Sequence, residues 1–205
     1  MDQLVMQPDA AIIARVQSGE TDCFDELVRR YQLALMRMAR SRLGRDDWAE
    51  EVVQETFLAA FKSCNSYDPH YSFRTWLWTI LLNQCHTHFG RRTRQSPCAP
   101  LSPDCEPPAR GNTAEGDSPL VALLAKERSA QLESLLAQLR PVQADALRLR
   151  FFGGLKFHEI AEAMHSSLNT AKNRVRIGLM RMAELLAAAD TCRTTSDNPR
   201  GSFEE

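Results

Sequence analysis

Residues 156–176 read KFHEIAEAMHSSLNTAKNRVR, and this stretch decides how the C-terminal part of the chain folds. Apolar residues at helical spacing predict a short helix over 157–164 and a longer one from Leu168 onwards. Between them, His165 to Ser167 leave room only for a tight turn. Two helices joined so closely are typical of a helix-turn-helix, whose second helix presents one face to DNA.

The second of these helices has two predicted faces. Its inner face is formed by Leu168, Ala171, Val175, Leu179 and Met182. Its outward face carries Asn169, Thr170, Asn173, Arg174 and Arg176, with Lys172 at the flank. Amides and cations on one exposed face can reach phosphates and the N7 and O6 acceptors of guanine. Taken alone, the segment is also compatible with a solvated charged face on an ordinary helical bundle.

The rest of the chain predicts further helices in two groups. Apolar residues recur at helical spacing through 9–95 and again through 119–189. Residues 96–118 are rich in proline, serine, glycine and acidic residues, a composition that buries too little apolar area to offset its ordering entropy. We therefore expect an all-α fold of two small helical domains, 9–95 and 119–189. A flexible acidic linker joins them, and residues 190–205 form a disordered tail.

A helix predicted over Asp46–Lys62 carries the sequence AEEVVQETFL at 49–58. Val52, Val53 and Phe57 are available for burial, which leaves a second stripe on the surface. That stripe consists of Glu50, Glu51, Gln54, Glu55 and Leu58. It is either a solvated face or a docking surface for a basic partner helix. A leucine inside a carboxylate patch suits such a partner, because the carboxylates meet its basic residues and the leucine meets its apolar ones. The residues alone leave these two interpretations open.

Aromatic and basic residues crowd the stretch that follows. The rings are Tyr67, Tyr71, Phe73, Trp76 and Trp78, and the cations are Arg74, Arg91, Arg92 and Arg94. Rings beside cations are what single-stranded DNA binding requires, because bases stack on rings while phosphates meet basic groups. The alternative is that most of these rings belong to the core. Although the net charge of the chain is −1, basic residues outnumber acidic ones in 63–95 and in 140–186.

Composition and motif chemistry argue against several protein classes. The six cysteines form no Cys-x-x-Cys pair, which speaks against a disulfide framework or a zinc ribbon. His158-Glu159 begins like a zinc-protease helix, but Glu162 stands where the second histidine is required. No apolar run has the length of a membrane span, and the N-terminus lacks a secretory signal. We expect a cytoplasmic protein without cofactor, metal, membrane insertion or catalytic activity.

Taken in order, three strings resemble the extracytoplasmic-function branch of the bacterial sigma factors. They are Ala49–Leu58, then Phe73-Arg74-Thr75-Trp76-Leu77, then Glu159-Ile160-Ala161-Glu162 followed by Thr170-Ala171-Lys172. The resemblance covers residues 10–94 and 136–186. Each string alone is a weak signal, whereas their order and the proline-rich separation make the resemblance specific.

The resemblance implies a role for each surface. The acidic stripe docks on the clamp helices of the largest subunit of core RNA polymerase. The loop over 63–72 and the helix through Asn83 recognise the minus-ten promoter element and capture an extruded base. The residues assigned to this role are Asn65, Tyr67, His70, Arg74, Trp78, Asn83, Arg91 and Arg92. The outward face of the last helix reads the minus-35 element. The sequence does not show whether an anti-sigma factor is a further partner.

Two departures from the family pattern concern the helix-turn-helix. Lys156 stands where a capping Ser or Thr is usual, and His165-Ser166 replaces the usual glycine-containing turn. Both changes are expected to weaken this motif. The principal alternative is a stand-alone helix-turn-helix regulator that binds duplex DNA unaided, and a second is a sigma-like chain that acts mainly as an interaction protein.

Overall fold

The computed structural model describes residues 7–95 and 119–196, and the regular structure in these residues is helical, which confirms the all-α fold class. The N-terminal half contains α1 (Asp9–Gln17), α2 (Phe24–Leu43), α3 (Asp46–Lys62) and α4 (Phe73–Gln95). The C-terminal half contains α5 (Pro119–Ala137), α6 (Pro141–Phe151), α7 (Phe157–Ala163) and α8 (Leu168–Ser196). The predicted linker over 96–118 lies outside the described residues.

The hairpin of α2 and α3 organises the N-terminal half. Gly44 ends α2 in the left-handed conformation, with φ of 72°, and its N–H donates to Arg40 O at 2.8 Å. Glycine adopts this φ without steric cost, so the chain reverses there. Leu27, Leu35 and Met38 of α2 are fully buried. The hairpin therefore presents one apolar side to the core and leaves the opposite side of α3 in solvent.

One predicted helix end is wrong. The last helix does not stop at residue 189, because α8 extends to Ser196, and residues 197–205 lie outside the described residues. The reason for the longer α8 is its composition, since alanines at 187–189 favour helix and no glycine or proline follows before Pro199. The segment 190–196 is thus helical, against the prediction of a disordered tail beginning at 190.

The helix-turn-helix is built by α7, a short turn and α8. His165 adopts φ of 47°, and the Ser166 N–H donates to Ala161 O at 2.8 Å, which closes the end of α7. Ser167 caps α8, because its Oγ accepts the Thr170 N–H at 3.1 Å. At the other end of α7, Glu159 accepts the Lys156 N–H at 2.6 Å. The motif therefore forms despite both departures from the family pattern.

The two halves pack against each other. Arg42 of α2 forms a buried ion pair with Asp145 of α6, and Arg148 donates to the backbone O and the Oγ of Ser41 at 2.7 and 2.9 Å. Burial lowers the pKa of Arg148, as it must for a guanidinium taken out of water. Periodicity in the sequence gives no sign of this contact, in which α6 lies against α2 and Arg74 of α4 lies beside Glu159 of α7.

Candidate functional site

The acidic stripe of α3 lies on the surface, on the side of the helix opposite the core. Glu50, Glu51, Gln54 and Leu58 are exposed, and Glu55 is half-buried. Leu58 keeps 51% of its area in solvent, a large value for a leucine in a helix that buries Val52 and Ala60 completely. The spacing i, i+4, i+8 places Glu50, Gln54 and Leu58 in one row. The structure thus brings all five predicted residues together on one face.

Two carboxylates of this stripe lie beside an arginine and a histidine of α4. Glu55 Oε1 lies 3.4 Å from Arg91 Nη1, and Glu51 Oε2 lies 3.6 Å from His88 Nε2. These contacts hold the side chains of Glu51 and Glu55 on the edge of the stripe that faces α4. Glu50, Gln54 and Leu58 form the edge that faces away from α4. A partner that approaches that outer edge meets carboxylate, amide and leucine side chains together.

The predicted minus-ten residues fall into an exposed group and a buried group. Asn65, His70, Asn83 and Arg91 are exposed, whereas the side chain of Arg92 lies outside the described part of the chain. The loop before α4 is ordered locally by the His70 N–H, which donates to Asp68 Oδ1 at 2.9 Å. Arg74 is half-buried, and its Nη2 lies 3.4 Å from Glu159 Oε1 of α7.

Tyr67 and Trp78 are not available to stack on bases in this structure. The Tyr67 ring is buried beside Phe73 and Trp76, and its hydroxyl donates to Tyr71 O at 2.5 Å. Trp78 is 1% exposed, because it lies in the core where Gly153 of the other half covers it. For these two rings the core interpretation of the aromatic stretch is correct.

Tyr71 is an exposed ring that the predicted site residues omit. It is 60% exposed in the same loop, four residues after Tyr67. The signal that distinguishes the two rings is position, since Tyr71 lies between His70 and Ser72 in a polar part of the loop, whereas Tyr67 directly follows the short helical turn Cys64–Ser66.

The outward face of α8 is arranged as predicted. Asn169, Thr170, Lys172, Asn173 and Arg176 are exposed, and Arg174 is half-buried. Arg176 Nη2 donates to Asn173 Oδ1 at 3.2 Å. The inner face differs in part, because Leu168 and Leu179 are 44% exposed while Ala171, Val175 and Gly178 make the close contact. The polar face is therefore wider than the apolar one.

Glu159 links the helix-turn-helix to the N-terminal half. Burial alone would raise the pKa of this carboxyl, but the hydrogen bond from the Lys156 N–H and the charge of Arg74 outweigh burial and hold the pKa below its ordinary value. Glu159 is therefore an anion that caps α7 and pairs across the contact between the halves.

The described residues contain no cluster of histidine, cysteine and carboxylate groups that would hold a metal ion. In the same residues, no helix combines the length and the apolar character needed to cross a bilayer.

Two family models match the chain in the order of its two halves. Residues 27–95 match sigma-70 region 2, and residues 129–182 match sigma-70 region 4. An ECF RNA polymerase sigma-E factor of Haemophilus influenzae is 30% identical over 82% of this chain and 89% of its own length. An RNA polymerase sigma-H factor of Pseudomonas aeruginosa is 29% identical over 84% of this chain and 90% of its own length.

Solved structures match the same fold. CnrH, solved in complex with the cytosolic domain of CnrY, has a TM-score of 0.66 and 26% identity, over 89% of this chain and 99% of its own. The sigma factor RpoE of Bartonella quintana, solved in complex with the anti-sigma factor NepR, has a TM-score of 0.61 and 24% identity. It covers 79% of this chain and 97% of its own length, and this likeness shows the fold alone.

Proposed function

The chain belongs to the extracytoplasmic-function sigma factors of bacterial RNA polymerase, and we propose on that premise which of its surfaces bind the polymerase and the promoter. Members of this family are transcription initiation factors. The chain directs the polymerase to promoters, takes part in no bond-forming step itself, and acts in the cytoplasm, where the polymerase acts.

The proposal rests on two exposed surfaces of different chemistry that lie on one chain. The stripe of Glu50, Gln54 and Leu58 suits a basic amphipathic helix, which is the clamp of the largest polymerase subunit. The face around Lys172, Asn173 and Arg176 suits the major groove of the minus-35 element. A stand-alone regulator requires only the second surface, so the first favours the sigma factor.

The minus-ten surface in this proposal consists of Asn65, His70, Arg74, Asn83, Arg91 and Arg92, with Tyr71 in place of Tyr67. Tyr71 supplies an exposed ring for a base lifted out of the duplex, at a cost in unstacking of a few kcal/mol. The exposed amides of Asn65 and Asn83 supply hydrogen-bonding groups for the edge of such a base. We also propose an anti-sigma factor as a partner of this chain.

Run-off transcription with purified core polymerase over a library of promoter fragments tests the function. We expect new transcripts with a defined start only when the chain is present. Variants Lys172→Ala and Asn173→Ala, with exposed side chains on α8, should change which fragments are used while polymerase capture is unchanged.

Two other results would support the alternatives. Polymerase capture without any new transcript would indicate an interaction protein. Tight sequence-specific binding of the purified chain to duplex DNA at physiological salt, without polymerase, would indicate a stand-alone regulator.

A further inference from the structure

A groove beside the outward face of α8 contains no carboxylate among its lining residues. It measures about 510 Å³ and lies between the start of α6 and the first turns of α8. Its polar lining consists of Arg140, Gln143, Asn169, Thr170, Asn173 and Arg174. Two guanidinium groups among amides and a hydroxyl form a surface that suits an anion, and each of these groups is a common phosphate contact in protein–DNA complexes.

Close packing of α6 and α8 sets the width of this groove. A Cβ at Gly178 would lie 2.9 Å from Leu147 Cδ1 and 3.6 Å from Gln143 Cβ, so α8 lies directly on α6. Arg140 precedes Gln143 by three residues, and its backbone O accepts the N–H groups of Gln143 and Ala144 at 2.9 and 3.0 Å. These bonds fix the backbone of Arg140 at the start of α6, beside the second turn of α8.

The acidic residues of both helices point elsewhere. Asp145, the acidic residue of α6, is buried against Arg42 on the side of α6 that meets the N-terminal half. Glu184, the acidic residue among the described side chains of α8, pairs with Arg181 at 2.8 Å. Arg140 is exposed and forms no ion pair with the described part of the chain. Among the described residues its charge therefore has no ion-pair partner, and it lines the groove.

We propose that Arg140, together with Arg174, binds a backbone phosphate of duplex DNA in this groove. The inference rests on the proposed function, because it takes the outward face of α8 to meet DNA. Asn173 belongs both to that face and to the groove, so a phosphate held by Arg140 fixes how the base-reading side chains enter the major groove. Arg140 is in this role a positioning residue that reads no base.

Salt-dependent binding distinguishes a phosphate contact from a base contact. The full chain with core polymerase is titrated with the promoter fragment recovered by run-off transcription, at several salt concentrations. For Arg140→Ala we expect affinity to fall about tenfold at low salt and the slope of log K against log salt to decrease in magnitude by about one. The loss should be the same on fragments with base changes in the minus-35 element, because a phosphate carries no sequence information.

Two further variants serve as controls. Arg140→Lys keeps the charge and should retain the wild-type salt slope. Arg128→Ala removes an equally exposed arginine from α5 and should leave both affinity and slope unchanged. An unchanged affinity and slope for Arg140→Ala would overturn the inference, and so would a loss that depends on the minus-35 sequence. Failure of the proposed function would look different, because the wild-type chain would then yield no promoter fragment.

Discussion

His165 is the residue at which this helix-turn-helix is under backbone strain. Among the described residues it is the non-glycine residue with positive φ, at 47°. The left-handed conformation costs a residue with a Cβ about 1–2 kcal/mol, and glycine adopts it freely. The hydrogen bond from Ser166 to Ala161 and the cap from Ser167 hold the turn in place despite this cost.

Substitution of His165 tests the strain directly. We expect His165→Gly to raise the free energy of unfolding by about 0.5–1 kcal/mol, which is the relief of strain less the conformational entropy that glycine loses on folding. His165→Asn should give a smaller gain, and His165→Ala should give none. Urea denaturation followed by circular dichroism measures all three. Equal stabilities for the glycine and alanine variants would show that the turn carries no strain.

Glu159 predicts a pH dependence of stability. Its pKa in the folded chain lies below the ordinary value of 4.5, so its stabilising contribution is complete above about pH 4.5 and is lost as the pH falls through the folded pKa. Glu159→Gln keeps an acceptor for the Lys156 N–H but removes the charge that faces Arg74.

The difference in stability between wild type and Glu159→Gln should therefore be largest near pH 7 and shrink below pH 4.5. Chemical denaturation at several pH values measures this difference. Glu162→Gln is the matched control, because Glu162 is exposed on the same helix. A difference that stays constant with pH would mean that Glu159 makes no ionic contribution.

At the scale of elements, α3 contributes both to the core and to the candidate polymerase surface. Leu58→Ala should leave the stability nearly unchanged, because the side chain is half in solvent, and should weaken capture of core polymerase about tenfold if Leu58 is the apolar anchor of the stripe. Leu33→Ala is the matched control, since Leu33 on α2 is 69% exposed and lies outside the stripe. Capture is measured by pull-down with purified core polymerase.

A result in which Leu33→Ala weakens capture and Leu58→Ala does not would place the docking face on α2. Equal losses for both variants would indicate nonspecific apolar adhesion. Both outcomes contradict the assignment of the α3 stripe.

Helix spacing and surface faces were predictable from the sequence, and long-range packing was not. The stripe of Glu50 to Leu58 and the outward face of α8 follow from the 3.6-residue period, because a local period determines which side of a helix is apolar. Trp78 shows the limit of this reasoning. Its burial depends on Gly153, 75 residues later in the chain, and no local pattern indicates which ring will be covered by another half.

The helix ends show a second limit. Residues 190–196 are mostly weak helix formers, yet α8 continues through them from the alanines at 187–189, so local composition does not fix where the helix ends. Arg140 shows a third, since its position beside α8 depends on the close approach at Gly178.

At the scale of the whole molecule, the contact between the halves conflicts with the proposed reading of both promoter elements at once. Elements centred near −10 and −35 lie about 25 base pairs apart, which is about 85 Å along the duplex at 3.4 Å per base pair. Arg74 of the proposed minus-ten surface lies 3.4 Å from Glu159 of α7, so the two proposed DNA-reading surfaces belong to halves that are in direct contact. If these surfaces read the two elements, we expect promoter recognition to require that α6 and α7 leave α2 and α4.

We expect the cluster of Arg42, Asp145 and Arg148 to hold this contact closed. Removing one member of a buried ion cluster leaves the other charges without compensation, at a cost of about 3–5 kcal/mol if they stay buried. Here Arg42 belongs to one half and Arg148 to the other, so separation of the halves returns both charges to water. We expect Asp145→Asn to shift the free chain toward an open form.

Small-angle X-ray scattering measures this shift as an increase in the radius of gyration of Asp145→Asn relative to wild type. Asp47→Asn is the matched control, because its exposed pair with Arg45 should contribute little and leave the scattering unchanged. If Asp145→Asn opens the chain, the same variant should also bind polymerase and promoter at lower concentration, since part of the cost of opening no longer opposes binding. A scattering profile identical to wild type, with helical content and stability preserved, would show that the ion cluster does not hold the two halves together in solution.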